Sequence, residues 1–315
     1  MINHISNNIW LFAILFCFSL KGQVKNKYYR NANNFALSKN YKLALSHIDK
    51  AIDIEGNKAP PIFYLRKYEY LIHLKKFSLG FQILNEAIQL YQNNILLLNA
   101  RAEFYFTLKK YTKAIADYET ISTQVTGKEL IKYKMKLAST KYFLRNFKDV
   151  ALILKSVLQK EPSNIDALNL LAALHIELSN YAKAKEILYE LIQNYPSHVA
   201  TVVNLGFTFQ KENQHEKALS YFNKALKLSP NNPVALSNRA YSKLKMLIPE
   251  EAFTDIQRSI ELLPTNSYAY MVRGKIYLKL EKNKKACVDF NISEKLNFSE
   301  QYGNEVKELL STYCH

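Results

Sequence analysis

The chain has 315 residues, of which 48% are hydrophobic and 22% are charged, so it can bury a core and is not intrinsically disordered. It contains only 7 glycines and 8 prolines, which argues against sandwiches and barrels and favours a mostly helical chain. The glycines are too far apart for a GxGxxG motif or a P-loop, which excludes the usual phosphate-binding loops.

The charge balance is strongly basic. Lysine and arginine number 43 against 27 acidic residues, a formal net charge of +16. Such an excess favours acidic partners, nucleic acid or anionic lipid. The lysines are scattered rather than clustered, so a dedicated nucleic-acid-binding tail is not expected. The alternative is that the excess only reflects a biased overall composition.

The chain begins with an apolar segment over residues 9–20. Its 12 residues are too few for a membrane-spanning helix, which needs about 20, but they suit the core of a secretory signal peptide. We expect residues 1–22 to be a signal peptide that is cleaved after Gly22. The mature protein is then exported, and is periplasmic, outer-membrane-associated or secreted. The alternative is an uncleaved membrane anchor.

From residue 25 onward the sequence repeats with a period of about 34 residues. Eight units cover residues 25–298: four align without a gap, three align after small shifts, and one starts at Ile95. Positions are counted from the first residue of each unit. The units begin at Lys25, Pro61, Ile95, Ile131, Ile165, Val199, Pro233 and Ser267.

Small residues recur at the eighth and the twentieth position, in seven of the eight units each. Two helices can cross closely only where their side chains are small, so each unit is predicted to be an antiparallel helix pair. Turn sequences with a proline, such as residues 228–233, end the later units and pre-set the next turn. Tyr68 is the exception at the eighth position, and the pattern gives no reason for it.

This repeat resembles the tetratricopeptide-repeat family. The sixth unit matches best, with the residues that the family expects at Leu205, Gly206, Ala218, Phe222, Ala225 and Pro230. The resemblance implies an all-α fold, a right-handed α-solenoid of eight helical hairpins whose first helices line a concave groove. It also implies binding rather than catalysis.

A repeat array needs a terminal helix with a polar outer face. Residues 299–315 suit a C-terminal capping helix, with Tyr302, Val306 and Leu309 on one face. Cys287 falls on the last second helix and Cys314 follows the cap, so export would allow a disulfide between them. The alternative is two unpaired cysteines, one of them buried as a small hydrophobic residue.

The resemblance also places four positions of each first helix, the second, fifth, ninth and twelfth, on the groove. Aromatic side chains beside a few polar groups are typical of a peptide-binding surface. In the last three units we expect aromatic anchors, with Lys275 meeting an acidic group of the partner. The alternative is that the aromatic residues only pack between adjacent hairpins. The predicted groove residues are Tyr29, Leu65, Asn99, Phe207, Tyr241, Tyr268, Met271 and Lys275.

No catalytic motif accompanies the repeats. The histidines are spread over different units without metal-ligand spacing, so no metal, cofactor or small-molecule substrate is expected, and we predict that the protein is not an enzyme. We predict a scaffold or assembly factor that binds a peptide or helix of another protein. The alternatives are binding to carbohydrate or a cell-wall polymer, and charge-driven binding to anionic lipid or nucleic acid.

Overall fold

The computed structural model describes residues 27–314, and the predicted signal peptide lies outside them. Within this range every regular element is a helix. Sixteen helices form eight consecutive pairs, and two short helices follow. The pairs are α1 (Lys27–Leu37) with α2 (Tyr41–Glu55), α3 (Pro61–His73) with α4 (Phe77–Leu90), α5 (Ile95–Thr107) with α6 (Tyr111–Ser122), α7 (Gly127–Phe143) with α8 (Phe147–Leu158), α9 (Ile165–Glu177) with α10 (Tyr181–Asn194), α11 (Val199–Lys211) with α12 (His215–Leu228), α13 (Pro233–Lys245) with α14 (Pro249–Leu262), and α15 (Ser267–Lys279) with α16 (Asn283–Lys295).

The prediction of an all-α fold built from eight helical hairpins is confirmed. The described residues divide into two compact units, 27–140 and 141–314, with the boundary inside α7. No helix among the described residues is both long enough and apolar enough to cross a membrane.

The capping segment predicted over 299–315 is present, but it consists of two helices rather than one. They are α17 (Phe298–Tyr302) and α18 (Glu305–Tyr313). The helix is interrupted because Gly303 adopts a left-handed φ of 93°, which glycine tolerates without a steric cost. Phe298 and Val306 are buried on either side of this break, so both short helices are attached to the core.

All eight hairpin turns share one backbone feature at the fifteenth position. The residue there lies in the left-handed region, with φ between 57° and 61°, and none of the eight is a glycine. A left-handed φ has a free-energy cost for every residue except glycine, and the cost is smaller for asparagine than for most others. The eight residues are Lys39, Lys75, Lys109, Arg145, Ser179, Asn213, Leu247 and Glu281.

The small positions pair across each hairpin with large ones. A Cβ atom on Gly274 would lie 2.4 Å from Cε1 of Phe290, and one on Gly206 would lie 2.7 Å from the same atom of Phe222. In the second pair the arrangement is reversed, because Tyr68 at the eighth position packs against Gly80 at the twentieth. The exception in the sequence pattern therefore has a steric compensation inside its own hairpin.

Arginine–aspartate pairs join the two helices of three hairpins. Arg239 donates from Nε and Nη2 to both carboxylate oxygens of Asp255 at 2.8 and 2.6 Å, and from Nη1 to Asn223 on the preceding second helix at 2.8 Å. Arg273 makes the same contacts with Asp289 and Gln257. The bidentate pair is directional and fixes the two helices of one hairpin, and the third contact, from Nη1, orients that hairpin on the one before it.

Candidate functional site

In the C-terminal unit the first helices of successive pairs contact one another. Helix α9 contacts α11, α11 contacts α13, and α13 contacts α15. We call the side of α11, α13 and α15 that carries their ninth and thirteenth positions the inner surface.

Lysines and aromatic rings alternate along the inner surface. Positions nine and thirteen lie four residues apart and so share one face of a helix. Lys211 Nζ lies 5.2 Å from the ring centroid of Phe207, and Lys245 Nζ lies 5.5 Å from that of Tyr241. We define the basic-aromatic row as Phe207, Lys211, Tyr241, Lys245, Lys275 and Lys279.

Three lysines of this row are available to an anion. Lys211, Lys245 and Lys279 are exposed, and none of them forms an ion pair with a described residue. Lys245, Lys275 and Lys279 also line an open depression of about 360 Å³, together with Leu278 and Asn283. Ammonium groups beside apolar walls can hold a carboxylate while its neighbours contact the aromatic rings.

The C-terminal end of the inner surface is partly covered by the chain itself. Tyr268 lies between Tyr241 and Tyr302, with ring centroids 6.1 and 5.8 Å away. Lys275 forms an ion pair with Glu305, at the start of α18. Burial raises the pKa of Tyr268 well above its usual value, so its hydroxyl stays protonated.

A second contact of α17 lies at the other end of the C-terminal unit. Arg145 donates from Nη1 to the backbone oxygen of Gln301 at 3.0 Å and to Glu177 at 3.2 Å. Burial is the main reason that the pKa of Tyr302 is raised, and the charge of Glu177 raises it further. Tyr302 nevertheless remains 51% exposed.

Cys287 on α16 and Cys314 after α18 are joined by a disulfide. The bond fastens the end of α18 to the last repeat. No group of three or more potential metal ligands occurs within residues 27–314.

The predicted groove residues fall into three groups. Phe207, Tyr241 and Tyr268 lie half-buried on the inner surface, where the sequence places them. Lys275 is also there, but its acidic partner is Glu305 of the same chain. The prediction that Met271 lines the groove is wrong, because its side chain is 1% exposed and packs in the core formed with α16.

The other three predicted residues lie in the N-terminal unit and make internal contacts. The ring of Tyr29 stacks on Phe63 with centroids 4.6 Å apart. Asn99 accepts a hydrogen bond from Lys136 at 3.1 Å, and Leu65 is half-buried against neighbouring helices. Their side chains are engaged in holding this unit together, and they offer less to a partner than the basic-aromatic row.

The sequence analysis missed the lysines at the thirteenth position. Lys211, Lys245 and Lys279 recur every 34 residues, so the repeat register itself was the signal that could have revealed them. Arg239, a further basic residue of α13, is fully engaged by Asp255 and Asn223.

Comparison with known proteins gives consistent matches to one family. Two models described as tetratricopeptide repeats match residues 145–205 and 203–232, and a model described as YpiA-like tetratricopeptide repeats matches residues 79–126. Among curated proteins, the chain is 32% identical over 110 residues to DnaJ homolog subfamily C member 3 of Gallus gallus. That match covers 33% of this chain and 22% of the relative, so the chain corresponds to about a fifth of its length.

Two solved structures are also similar to this chain. A tetratricopeptide-repeat protein of Thermus thermophilus is 16% identical, with 58% of this chain and 96% of the other covered and a TM-score of 0.49. A tetratricopeptide-repeat protein of Parabacteroides merdae is 18% identical, with 91% and 98% covered and a TM-score of 0.48.

Proposed function

Because this chain is a tetratricopeptide-repeat protein, we propose that it is a non-catalytic scaffold or assembly factor that binds an acidic segment of a partner protein along its inner surface. The observation that carries the proposal is the basic-aromatic row. It combines two half-buried rings with three exposed lysines, Lys211, Lys245 and Lys279, that have no acidic partner among the described residues.

The spacing of the row suits an extended segment. Each first helix supplies one ring or lysine at the ninth position and one lysine at the thirteenth, and the next helix repeats the pair. A bound segment therefore meets a ring and a positive charge on α11 and α13, and two lysines on α15. The rings supply affinity through burial, whereas the lysines supply the preference for acidic residues and speed the encounter.

The test is affinity capture by the full chain in three forms, followed by mass spectrometry at low and high salt. The inner-surface variant is Tyr241→Ala with Lys245→Ala, and the matched control is Lys183→Ala with Tyr189→Ala, both on α10. We expect a discrete protein that the wild type and the control retain at high salt and the inner-surface variant loses. Removing one such anchor costs about 1–3 kcal/mol of binding free energy if it is a hot spot.

Three other outcomes would contradict the proposal. Retention of the same protein by all three forms would place the binding site elsewhere. Capture of only nucleic acid or lipid, released at high salt, would indicate charge-driven binding. Salt weakens the attraction between exposed charges, which is largely screened beyond about 8 Å even at physiological ionic strength. Capture of a glycan instead of a protein would indicate a carbohydrate binder.

We also propose that the protein is exported and is periplasmic, outer-membrane-associated or secreted. The apolar segment over residues 9–20 and the disulfide between Cys287 and Cys314 support this, because disulfides persist mainly in oxidising compartments. Sequencing of the native N-terminus is the test. A protein that begins at Gln23 supports cleavage and export, whereas one that begins at Met1 contradicts the cleavage.

A further inference from the structure

The segment from Phe298 to Glu305 occupies part of the surface that the proposed partner would use. Its tyrosine, Tyr302, extends the line of rings formed by Tyr241 and Tyr268. Its carboxylate, Glu305, neutralises Lys275 in the basic-aromatic row. An aromatic ring followed three residues later by an acid is the side-chain pair that the row favours.

The backbone of this segment is also bound. Arg145 donates to the carbonyl oxygen of Gln301, the residue before Tyr302, at 3.0 Å. A contact to a backbone carbonyl does not depend on the side chain of that residue, so another chain in the same position can accept it equally well. One ring contact, one ion pair and one backbone contact thus hold the segment in the manner of a bound peptide.

The segment is held at its ends and only loosely between them. Phe298 and Val306 are 1% and 0% exposed, and the disulfide fastens the chain after α18. Between these anchors α17 has only five residues, too few for a helix that is stable on its own. Tyr302 is 51% exposed and the Glu305 side chain 47%, so neither side chain is enclosed in the core.

We propose that residues 301–305, which lie between these anchors, are an internal ligand of the inner surface, and that the partner segment carries the same pair, an aromatic residue followed three residues later by Asp or Glu, and displaces it. This inference rests on the proposed function. It adds the chemistry of the partner and a threshold for binding. The partner must compete with a segment whose effective concentration, set by its short tether, is in the millimolar range.

The probe is a fluorescent synthetic peptide with the sequence of residues 297–306, titrated into three forms of the full chain. The first form is the wild type, and the second is Tyr302→Ala with Glu305→Ala, which empties the surface. The matched control, Glu186→Ala with Tyr189→Ala, changes the same residue types at the same spacing on α10. A second peptide has alanine at the positions that correspond to Tyr302 and Glu305. It tests whether these two side chains are needed for binding.

We expect the surface-emptied variant to bind the first peptide at least about tenfold more tightly than the wild type and the control, because the internal competitor is gone. It should bind the alanine peptide weakly or not at all. Equal affinity for the wild type and the variant, or no binding by a folded variant, would overturn the inference. So would equal binding of the two peptides.

If the double variant does not fold, Glu305→Gln decides the question, because it removes only the charge that pairs with Lys275. Binding of the peptide that is no tighter to this variant than to the wild type would then overturn the inference. The peptide assay needs no natural partner, and this separates the two proposals. If the peptide assay fails but the Tyr241→Ala, Lys245→Ala variant still loses the captured protein, only the internal ligand is rejected. Failure of both experiments rejects the inner surface as a binding site.

Discussion

The contact between Gly274 and Phe290 offers the sharpest test of how the hairpins are packed. We consider the substitution Gly274→Ala, which adds one methyl group to the middle of α15. Elsewhere in a helix this change stabilises by about 1 kcal/mol, because alanine has the higher helix propensity. Here the new Cβ would lie 2.4 Å from Cε1 and 2.7 Å from Cδ1 of Phe290.

The steric cost outweighs the gain in helix propensity. Carbon atoms in contact are normally about 3.5–4.0 Å apart, so the ring must move by about 1 Å or more. Phe290 is fully buried, so its ring can move aside only by displacing other core side chains. Overpacking of this kind costs about 1–3 kcal/mol, and a shortfall this large belongs to the upper part of that range. We therefore expect a net loss of about 1–2 kcal/mol in the free energy of unfolding.

The assay is urea unfolding followed by far-UV circular dichroism, with hydrogen exchange to localise the change to α15 and α16. Localisation matters because repeat arrays can unfold in parts. The matched control is Gly80→Ala, where the nearest atoms to a new Cβ are 3.4 Å away. This variant should be as stable as the wild type or more stable. A wild-type or higher midpoint for Gly274→Ala would refute the packing argument.

A second substitution separates the clash from other causes. Leucine occupies the position of Phe290 in three other hairpins, as Leu84, Leu154 and Leu188. Phe290→Leu alone should destabilise by opening a cavity, but combined with Gly274→Ala it should recover part of the loss. A favourable coupling in this double-mutant cycle is expected only if the methyl group and the ring compete for the same space.

Three further predictions follow from the backbone, the ion pairs and the histidines. Leu247→Gly should increase the free energy of unfolding in urea by about 0.5–1 kcal/mol, because Leu247 has a φ of 61° and its side chain is 69% exposed. Arg239→Lys should lower stability by about 2–3 kcal/mol in the same assay, because lysine cannot satisfy the buried carboxylate of Asp255 bidentately, and unchanged stability would contradict the clamp. Stability should also fall as the pH is lowered from 7 to 5. Burial lowers the pKa of three histidines in the folded protein, so the same histidines in the unfolded chain, with a pKa of about 6.5, bind protons first and favour unfolding. The three histidines are His73, His175 and His215. Urea midpoints at several pH values measure the effect, and replacing all three with glutamine should flatten the dependence of the midpoint on pH.

The repeat pattern predicts the hairpins well because their packing depends on local, recurring residues. A small residue at position eight must face the partner helix of its own hairpin, so Gly206 and Gly274 can be placed from the sequence alone. The compensation between Tyr68 and Gly80 also lies within one unit. Phe222 and Phe290, which make those glycines necessary, become apparent only when the two helices are seen together.

The groove was harder to predict, because positions four residues apart on a first helix are in contact with different parts of the structure. Positions five, nine and thirteen lie four residues apart, so each is rotated by about 40° from the one before. On α11, α13 and α15, position five lies in the core, and Val203, Ser237 and Met271 are all buried. Positions nine and thirteen have rotated out of that contact. Methionine is compatible with either environment, so the residue type of Met271 does not reveal that its side chain is buried rather than in the groove.

The structure thus divides the repeat into positions that hold it together and positions that vary. Arginine and aspartate at the seventh and twenty-third positions join the two helices of a hairpin in both units, as Arg101–Asp117 and Arg239–Asp255 do. At the ninth and thirteenth positions the chemistry differs between units, and lysines succeed one another only in the last three repeats. A change at those positions alters the charge of the inner surface without touching the clamps or the glycine–phenylalanine contacts. The charge of the inner surface and the stability of the repeats can therefore be varied separately, and alanine variants of the exposed Lys211, Lys245 and Lys279 should bind the partner more weakly while keeping the urea midpoint of the wild type.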